Sequence, residues 1–328
     1  MKDQSRPRAL VTAPVRGAGL DLLNDIADLV IEPWIDQHPL RIYSGEQLAR
    51  RADEEKANIL VIEADLCSAP VFELPLLAVG SCRGDPNNVD IEAANAAGVP
   101  VLHAPGRNAD AVAELAVGLL IAATRKILLA DHDVRTSEVF HDGTIPYQRF
   151  RSWQIAGRTA GLVGLGSVGR ALRWRLEGMG MQVISYDPYA PDATCATLAE
   201  LLDRSDVISM HTPITLETSG MIGRKEIDQM RDGAIFLNTA RAQLHDTTAL
   251  VDALSPGKLA AAGLDHFEGE ILAADHPLCS LPNVVLTPHI GGATYDTEAN
   301  HTRMIAEGLQ SLLAGERPEH IVNPEVLA

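Results

Sequence analysis

The chain has 328 residues, 46% of them apolar and 22% charged, with a formal net charge of −17. That length suits two domains of ordinary size, and the composition is that of a globular chain rather than a disordered one. The acidic balance disfavours nucleic acid and anionic membrane as partners, and four scattered cysteines without CxxC spacing (Cys67, Cys82, Cys195, Cys279) disfavour a disulfide framework or a structural metal.

The N-terminal run Met1–Val15 has no signal-peptide core, so a cytoplasmic location is expected. Short apolar runs at Ala9–Thr12, Ile59–Ile62, Leu77–Val79 and Val99–Leu102 read as strands. Helical patterns near Gly19–Ile26, Glu46–Arg51 and Ile91–Ala97 separate them. Ala111–Ala123, interrupted by Glu114 and Gly118, is too short to cross a bilayer and predicts a helix buried on most sides.

An apolar run at Ala160–Val163 then enters Gly164-Leu165-Gly166-Ser167-Val168-Gly169, a helical pattern follows, and a second apolar run at Val183–Tyr186 ends on Asp187. Strand, glycine turn, helix, strand and terminal acid together form the dinucleotide-binding fingerprint. Gly164 permits the tight turn, Gly166 lets the backbone approach a pyrophosphate, and Gly169 allows close helix–strand packing. Ser167 and Val168 open the helix whose N–H groups receive the phosphate. Asp187, 18 residues past Gly169, suits the ribose hydroxyls and favours NAD over NADP by repelling a 2′-phosphate.

Four further strands follow: Val207–Met210 before His211-Thr212-Pro213, Ala234–Leu237 before Asn238-Thr239-Ala240-Arg241, Leu259–Leu264 before Asp265, and Val284–Leu286 before Thr287-Pro288-His289-Ile290-Gly291-Gly292. A last helix is expected over Thr294–Leu313. Alternation of strand and helix from end to end indicates an α/β doubly wound architecture, in which ligands lie outside the carboxyl ends of the strands. His211, Thr212, Pro213, Thr239, Ala240, Asp265 and Gly291 therefore fall on the rim expected for the cofactor.

Reduction of a 2-keto acid requires a hydride donor, a cation for the carboxylate and an acid for the growing alkoxide. A nicotinamide cofactor supplies the first. Arg241 offers a planar fork for a carboxylate. His289 offers a group that gives and takes a proton, in competition with other rim histidines such as His103 and His211. A neighbouring carboxylate would orient that imidazole; Asp265, Glu268 and Glu270 are the candidates.

Taken in order, Pro105–Glu114, the glycine fingerprint with Asp187, His211–Pro213, Asn238–Arg241, Gly263–Glu270 and Thr287–Gly292 resemble the motifs of the D-isomer-specific 2-hydroxyacid dehydrogenases, and the match covers essentially the whole chain. The resemblance implies Arg241, Glu270 and His289 as the catalytic set. It implies an NAD-binding Rossmann domain (104–290) inserted in a flavodoxin-like substrate domain (1–103 with 291–328), and a homodimer built on the cofactor domain.

The chain departs from the family pattern in places. Ala242-Gln243 follow the arginine where glycine is usual, Ile271 stands for proline after Glu270, and Leu-Asp-Val-Phe reads Leu264-Asp265-His266-Phe267. The loop from Ser81 to Asp90, commonly glycine-rich, carries Arg83 before Gly84; both are candidate substrate contacts, with Arg83 alternatively bracing its loop against Asp85 or Asp90. Glu63 and Ser81 stand where phosphoglycerate dehydrogenases place phosphate-binding arginines, which argues against that substrate. Alternative functions are oxidation of phosphite or formate, and a corepressor-like protein that senses NAD(H).

Overall fold

The computed structural model describes residues 6–141 and 143–328. In chain order the elements are β1 (Arg8–Val11), α1 (Ala18–Ile26), β2 (Asp28–Ile31), α2 (Gly45–Glu55), β3 (Ile59–Ile62), β4 (Ala78–Ser81), α3 (Ile91–Ala97) and β5 (Val101–Leu102). Next come α4 (Ala109–Arg125), α5 (Ile127–Arg135), α6 (Pro146–Arg149), β6 (Thr159–Val163), α7 (Ser167–Gly178), β7 (Gln182–Tyr186), α8 (Leu198–Arg204) and β8 (Val207–Met210). The chain continues through α9 (Arg224–Gln229), β9 (Ala234–Asn238), α10 (Thr247–Leu254), β10 (Leu259–Leu264), β11 (Val284–Leu286) and α11 (Tyr295–Leu313). No helix among the described residues is long and apolar enough to cross a membrane.

These elements gather into two compact units: the described part of Met1–Arg107 with Thr294–Ala328, and Asn108–Ala293. The first unit holds a five-stranded sheet in the order β2-β1-β3-β4-β5, every pairing parallel. This is the flavodoxin-like order. β3 and β4 are buried at every position, which is why they read as unbroken apolar runs rather than alternating ones. β2 escapes a sequence reading: it is a partly exposed edge strand entered from α1 through Ala27 alone, with no turn residue to announce it. Side chains set the helix starts. Ser44 and Gln47 form a reciprocal capping box at α2, Asp90 caps α3, and Thr294 caps α11. In α11, His301, Thr302, Ile305 and Leu309 are buried on one face, and α11 closes the unit against β4, β5 and α1.

The second unit holds a six-stranded parallel sheet in the order β11-β10-β9-β8-β6-β7. Strand order reverses between β6 and β8, the switch point at which a doubly wound sheet opens a crevice for a dinucleotide. One face of the sheet packs on α4 and α7 through Leu119, Leu120, Leu162 and Leu172; the other carries Ile208, Phe236, Leu250 and Leu264. α4 buries Val112, Ala113, Ala116, Leu119, Leu120, Ala123 and Thr124, so the stretch from Ala111 to Ala123 is a core helix of this unit.

Phe236 on central strand β9 is fully buried and meets the His245 ring edge-on at 5.5 Å. Phe236→Ala should destabilise this unit by about 3–5 kcal/mol through lost burial and the cavity left behind. The readout is a lowered urea midpoint in the fluorescence of Trp153 and Trp174, which belong to the same unit.

Candidate active site

The glycine turn after β6 has the geometry that dinucleotide binding requires. Gly164 has φ of +97° and donates its N–H to Tyr186 O at 2.9 Å; a Cβ there would lie 2.7 Å from the His211 backbone. A Cβ on Gly169 would lie 2.3 Å from Gly164 O, so the helix can approach the strand only without one. Gly166 is different. Its φ is −72° and a Cβ would meet nothing within 4 Å, so its smoothness leaves open space above the start of α7, where no side chain caps the helix. Exposed Gly166 and Ser167, uncapped N–H groups and the helix dipole fit a pyrophosphate.

Asp187 at the end of β7 reaches back to this turn. Its carboxylate accepts from Leu165 N at 2.8 Å and from Tyr189 N at 2.9 Å, which fixes its orientation and leaves each oxygen a further lone pair for a ribose hydroxyl. Orphaned polar atoms follow the same rim. Among the described residues four buried side-chain polar atoms have no hydrogen-bond partner; Arg149 Nε lies elsewhere, and three stand at this rim, His211 Nδ1 after β8, Thr239 Oγ1 after β9 and His266 Nδ1 after β10. Such atoms are rare in native interiors, and their collection at successive strand ends marks a surface completed by a ligand. Burial lowers the His211 pKa to about 4, so its ring is neutral, with Nε2 on Ser209 Oγ at 2.8 Å. Thr212 is half-buried, Pro213 is exposed and Ala240 is half-buried on this rim.

Arg241 is held by its neighbour's side chain. Asn238 Oδ1 accepts from Ala240 N at 3.0 Å and Arg241 N at 3.2 Å, while Asn238 Nδ2 donates to Arg241 O at 2.8 Å and to His245 Nδ1 at 3.0 Å. His245 must therefore be the tautomer with a bare Nδ1; burial lowers its pKa to about 4. The buried amide clamps the turn on both sides and points the guanidinium outward. Among the described residues that guanidinium has one hydrogen bond, to Ala240 O, and no carboxylate partner.

His289 and Glu270 converge at the adjacent strand ends. His289 Nδ1 donates to Glu270 Oε1 at 3.1 Å, and Nε2 has no partner among the described residues. Both residues have left-handed backbone, φ of +53° at His289 and +61° at Glu270. A side chain in that region costs about 1–2 kcal/mol and persists only where surrounding contacts enforce it. Asp265 is the enforcer at His289. Fully buried, it accepts His289 N on its carbonyl at 2.9 Å, Thr287 Oγ1 and Ile290 N on Oδ1 at 2.6 and 2.9 Å, and Gly291 N on Oδ2 at 2.8 Å. A Cβ at Gly291 would lie 3.0 Å from Asp265 Oδ2. A Cβ at Gly292 would lie 3.1 Å from Asn108 Nδ2, so both glycines stand in close contact, with Asp265 and Asn108 respectively.

A model of the D-isomer specific 2-hydroxyacid dehydrogenase NAD binding domain matches residues 117–291. The chain is 41% identical to glyoxylate reductase of Thermococcus litoralis, with 98% of each chain covered. It is 36% identical to glyoxylate reductase of Thermofilum pendens, covering 98% of this chain and 96% of that one. Among solved structures, a putative D-isomer specific 2-hydroxyacid dehydrogenase from Polaromonas aligns with a TM-score of 0.84 at 27% identity, over 97% of this chain and all of that one. The chain belongs to the D-isomer specific 2-hydroxyacid dehydrogenases. It is an oxidoreductase that uses a nicotinamide dinucleotide.

Within this dehydrogenase the sequence did not single out Asn238, His245 or His266. His245 stands seven residues after Asn238, a spacing with no regular-structure meaning, so only the fold brings the two together. His266 carried a signal, a histidine where the family commonly has valine. Its ring is buried against that of His289, centroids 3.8 Å apart and planes at 52°, and its pKa is lowered to about 3 by burial first and then by His289 and Arg241.

In the other unit of the dehydrogenase, Arg83 donates from Nε to Glu63 O at 2.6 Å and from Nη1 to Asn87 Oδ1 at 2.7 Å. These differ from the partners suggested by sequence, Asp85 and Asp90. Gly84 is exposed and its carbonyl meets His103 Nδ1 at 2.8 Å. Glu63 pairs with Arg107 at 2.5 Å and accepts from Trp34 Nε1 at 3.1 Å; Ser81 is buried with Oγ on Asn88 Oδ1 at 3.0 Å.

The last two glycines of the fingerprint should respond differently to alanine. Gly169→Ala must displace the Gly164 carbonyl and should cost about 1–3 kcal/mol, seen as a lower melting temperature without cofactor. Gly166→Ala should leave that melting temperature unchanged and weaken NADH binding about tenfold or more, 1.4 kcal/mol, in a fluorescence titration. A stable Gly169→Ala protein with unaltered binding would remove the close packing from the argument.

Proposed function

We propose that this dehydrogenase reduces a small, unphosphorylated 2-keto acid such as glyoxylate to its D-2-hydroxy acid with NADH. The observation that carries the reading is an exposed, carboxylate-free Arg241 guanidinium on the same strand-end rim as a Glu270–His289 pair. When bound, the nicotinamide supplies or accepts the hydride. Arg241 binds the substrate carboxylate through two parallel N–H···O bonds. Glu270 holds His289 Nδ1, so Nε2 faces outward to donate a proton to the carbonyl oxygen as it becomes an alkoxide, and to remove it in the reverse direction. His211, Thr212, Pro213, Thr239, Ala240, Asp265 and Gly291 border the cofactor, with Asp187 on the adenosine ribose. Names of relatives support the small substrate, since glyoxylate reductases are among them. Glu63, a carboxylate committed to Arg107, and the buried Ser81 support the absence of a phosphate. We further infer a homodimer from the exposed apolar side chains Ile127, Leu128, Val134, Phe140, Tyr147 and Trp153 in one stretch of the cofactor unit; sedimentation at the mass of one chain would refute it.

Arg241→Ala should lower kcat/KM for glyoxylate by roughly two to four powers of ten, with NADH affinity unchanged by fluorescence titration. His289→Asn should remove a comparable acid–base contribution of roughly two to four powers of ten, in both directions. Near-normal turnover in either variant would exclude that residue from the chemistry.

Asp187 is proposed to set the cofactor preference. Asp187→Ala, with arginine introduced at Tyr189, should weaken NADH and improve NADPH as donor, because a repelling carboxylate is exchanged for a cation. Wild-type preference for NADPH would overturn this assignment.

Arg83 and Gly84 lie at the carboxyl end of β4, and the bonds from Arg83 to Glu63 O and Asn87 hold that guanidinium in a defined place. We propose that Arg83 reads the substrate beyond its carboxylate. Arg83→Ala should raise KM for hydroxypyruvate more than for glyoxylate, which has no side chain to contact. Unchanged kinetics on both with a lower melting temperature would leave Arg83 as a brace.

A further inference from the structure

His266 is the one histidine beside the reacting groups that the dehydrogenase chemistry leaves without a task. It is 4% exposed, and its Nδ1 is buried with no hydrogen-bond partner. An unmet buried polar atom costs about 1–3 kcal/mol, so an atom in this state invites a ligand. His266 Nδ1 lies 3.9 Å from Glu270 Oε1, and His289 Nδ1 lies 3.1 Å from that same oxygen. The three atoms are all within 4.8 Å of one another.

Ligand atoms about 2.0–2.2 Å from a tetrahedral zinc ion stand about 3.3–3.6 Å apart. The spacings here bracket that range, so small rotations of the exposed Glu270 and His289 side chains would close the set around an ion. Two imidazole nitrogens and one carboxylate oxygen form a recognised donor set for zinc with a fourth position open. The set comes from two different strand ends, β10 for His266 and Glu270 and β11 for His289. Glu270 and His289 alone would offer two donors; the buried nitrogen of His266 makes three.

We propose that His266, Glu270 and His289 form a reversible binding site for a divalent transition metal of zinc type, and that occupancy inhibits the enzyme. The ion would occupy the His289 Nδ1 position now used by the hydrogen bond to Glu270. It would take Glu270 away from orienting the imidazole and hold the ring against His266. The proposal rests on side-chain placement and is read by binding, so it stands or falls separately from the role of His289 as proton donor.

The test uses the full-length protein stripped with chelator. Zinc chloride is titrated in competition with a chromogenic zinc indicator, and in parallel against NADH oxidation with glyoxylate. The expected result is one zinc per chain, binding and inhibition with the same midpoint, and recovery on adding EDTA. His266→Val, read by binding alone, should need about tenfold or more zinc for half-occupancy, the scale of a lost first ligand or its support. Glu270→Gln, read by binding alone, should weaken zinc to a similar degree and serves if the valine variant fails to fold. Cobalt(II) should give a visible absorption band in the wild type that is lost in both variants. Wild-type zinc affinity in the two variants, or no stoichiometric binding to the wild type, would overturn the proposal.

Discussion

The buried carboxylate of Asp265 is the interaction on which the reacting end of the cofactor unit depends. Its backbone carbonyl and both side-chain oxygens take three successive N–H groups, those of His289, Ile290 and Gly291, together with the Thr287 hydroxyl. That network offsets the left-handed backbone of His289, and Gly291 lets the chain lie close against it, where a Cβ would stand 3.0 Å from Asp265 Oδ2. A carboxylate buried this completely is tolerated because three donors meet its two oxygens. The result is a histidine held from its backbone upward, with one ring nitrogen on Glu270 and the other turned outward.

Arg241 is managed by a related device with neutral groups. Asn238 uses both ends of its amide to close the turn that carries the arginine, and the bare Nδ1 of His245 decides which end of the amide points where. Among the described residues nothing grips the guanidinium itself except a neighbouring carbonyl. Elsewhere in the chain arginines are mostly committed, as in Arg51 with Glu32 and Glu55 or Arg175 with Asp110 and Glu114. A cation without a carboxylate partner among the described residues keeps its full charge at the strand-end rim and forgoes whatever small stability an ion pair would have added.

The first unit has its own buried polar framework, again at the carboxyl ends of its strands. Thr12 and Tyr43 N converge on Asp65, Ser81 on Asn88, and Arg107 on Glu63 and His301. His301 is fully buried between Arg107 and Pro14 O, and burial lowers its pKa to about 4, so it serves as a neutral bridge from α11 to the loop after β1. The Arg107 cation is thereby committed to Glu63 rather than left for an anionic ligand.

Much of this was legible in the chain itself. Buried parallel strands read as apolar runs because both their faces are covered, and the fingerprint from Gly164 to Asp187 reads because local geometry admits only glycine at two of its turns. Arg241, Glu270 and His289 were proposed from strand-end position and a family resemblance. β2 was missed although Leu29-Val30-Ile31 is apolar, because it follows α1 after Ala27 alone and no turn residue separates strand from helix. Asp265 could be placed on the rim from sequence, but not its grip on the loop 26 residues later. The clamp of His245 on Asn238 and the contact of His266 with His289 arise from packing between separate strand ends. Local pattern reports what each segment buries; which polar atoms then meet is decided by the register of six strands, and that exists only in the folded sheet.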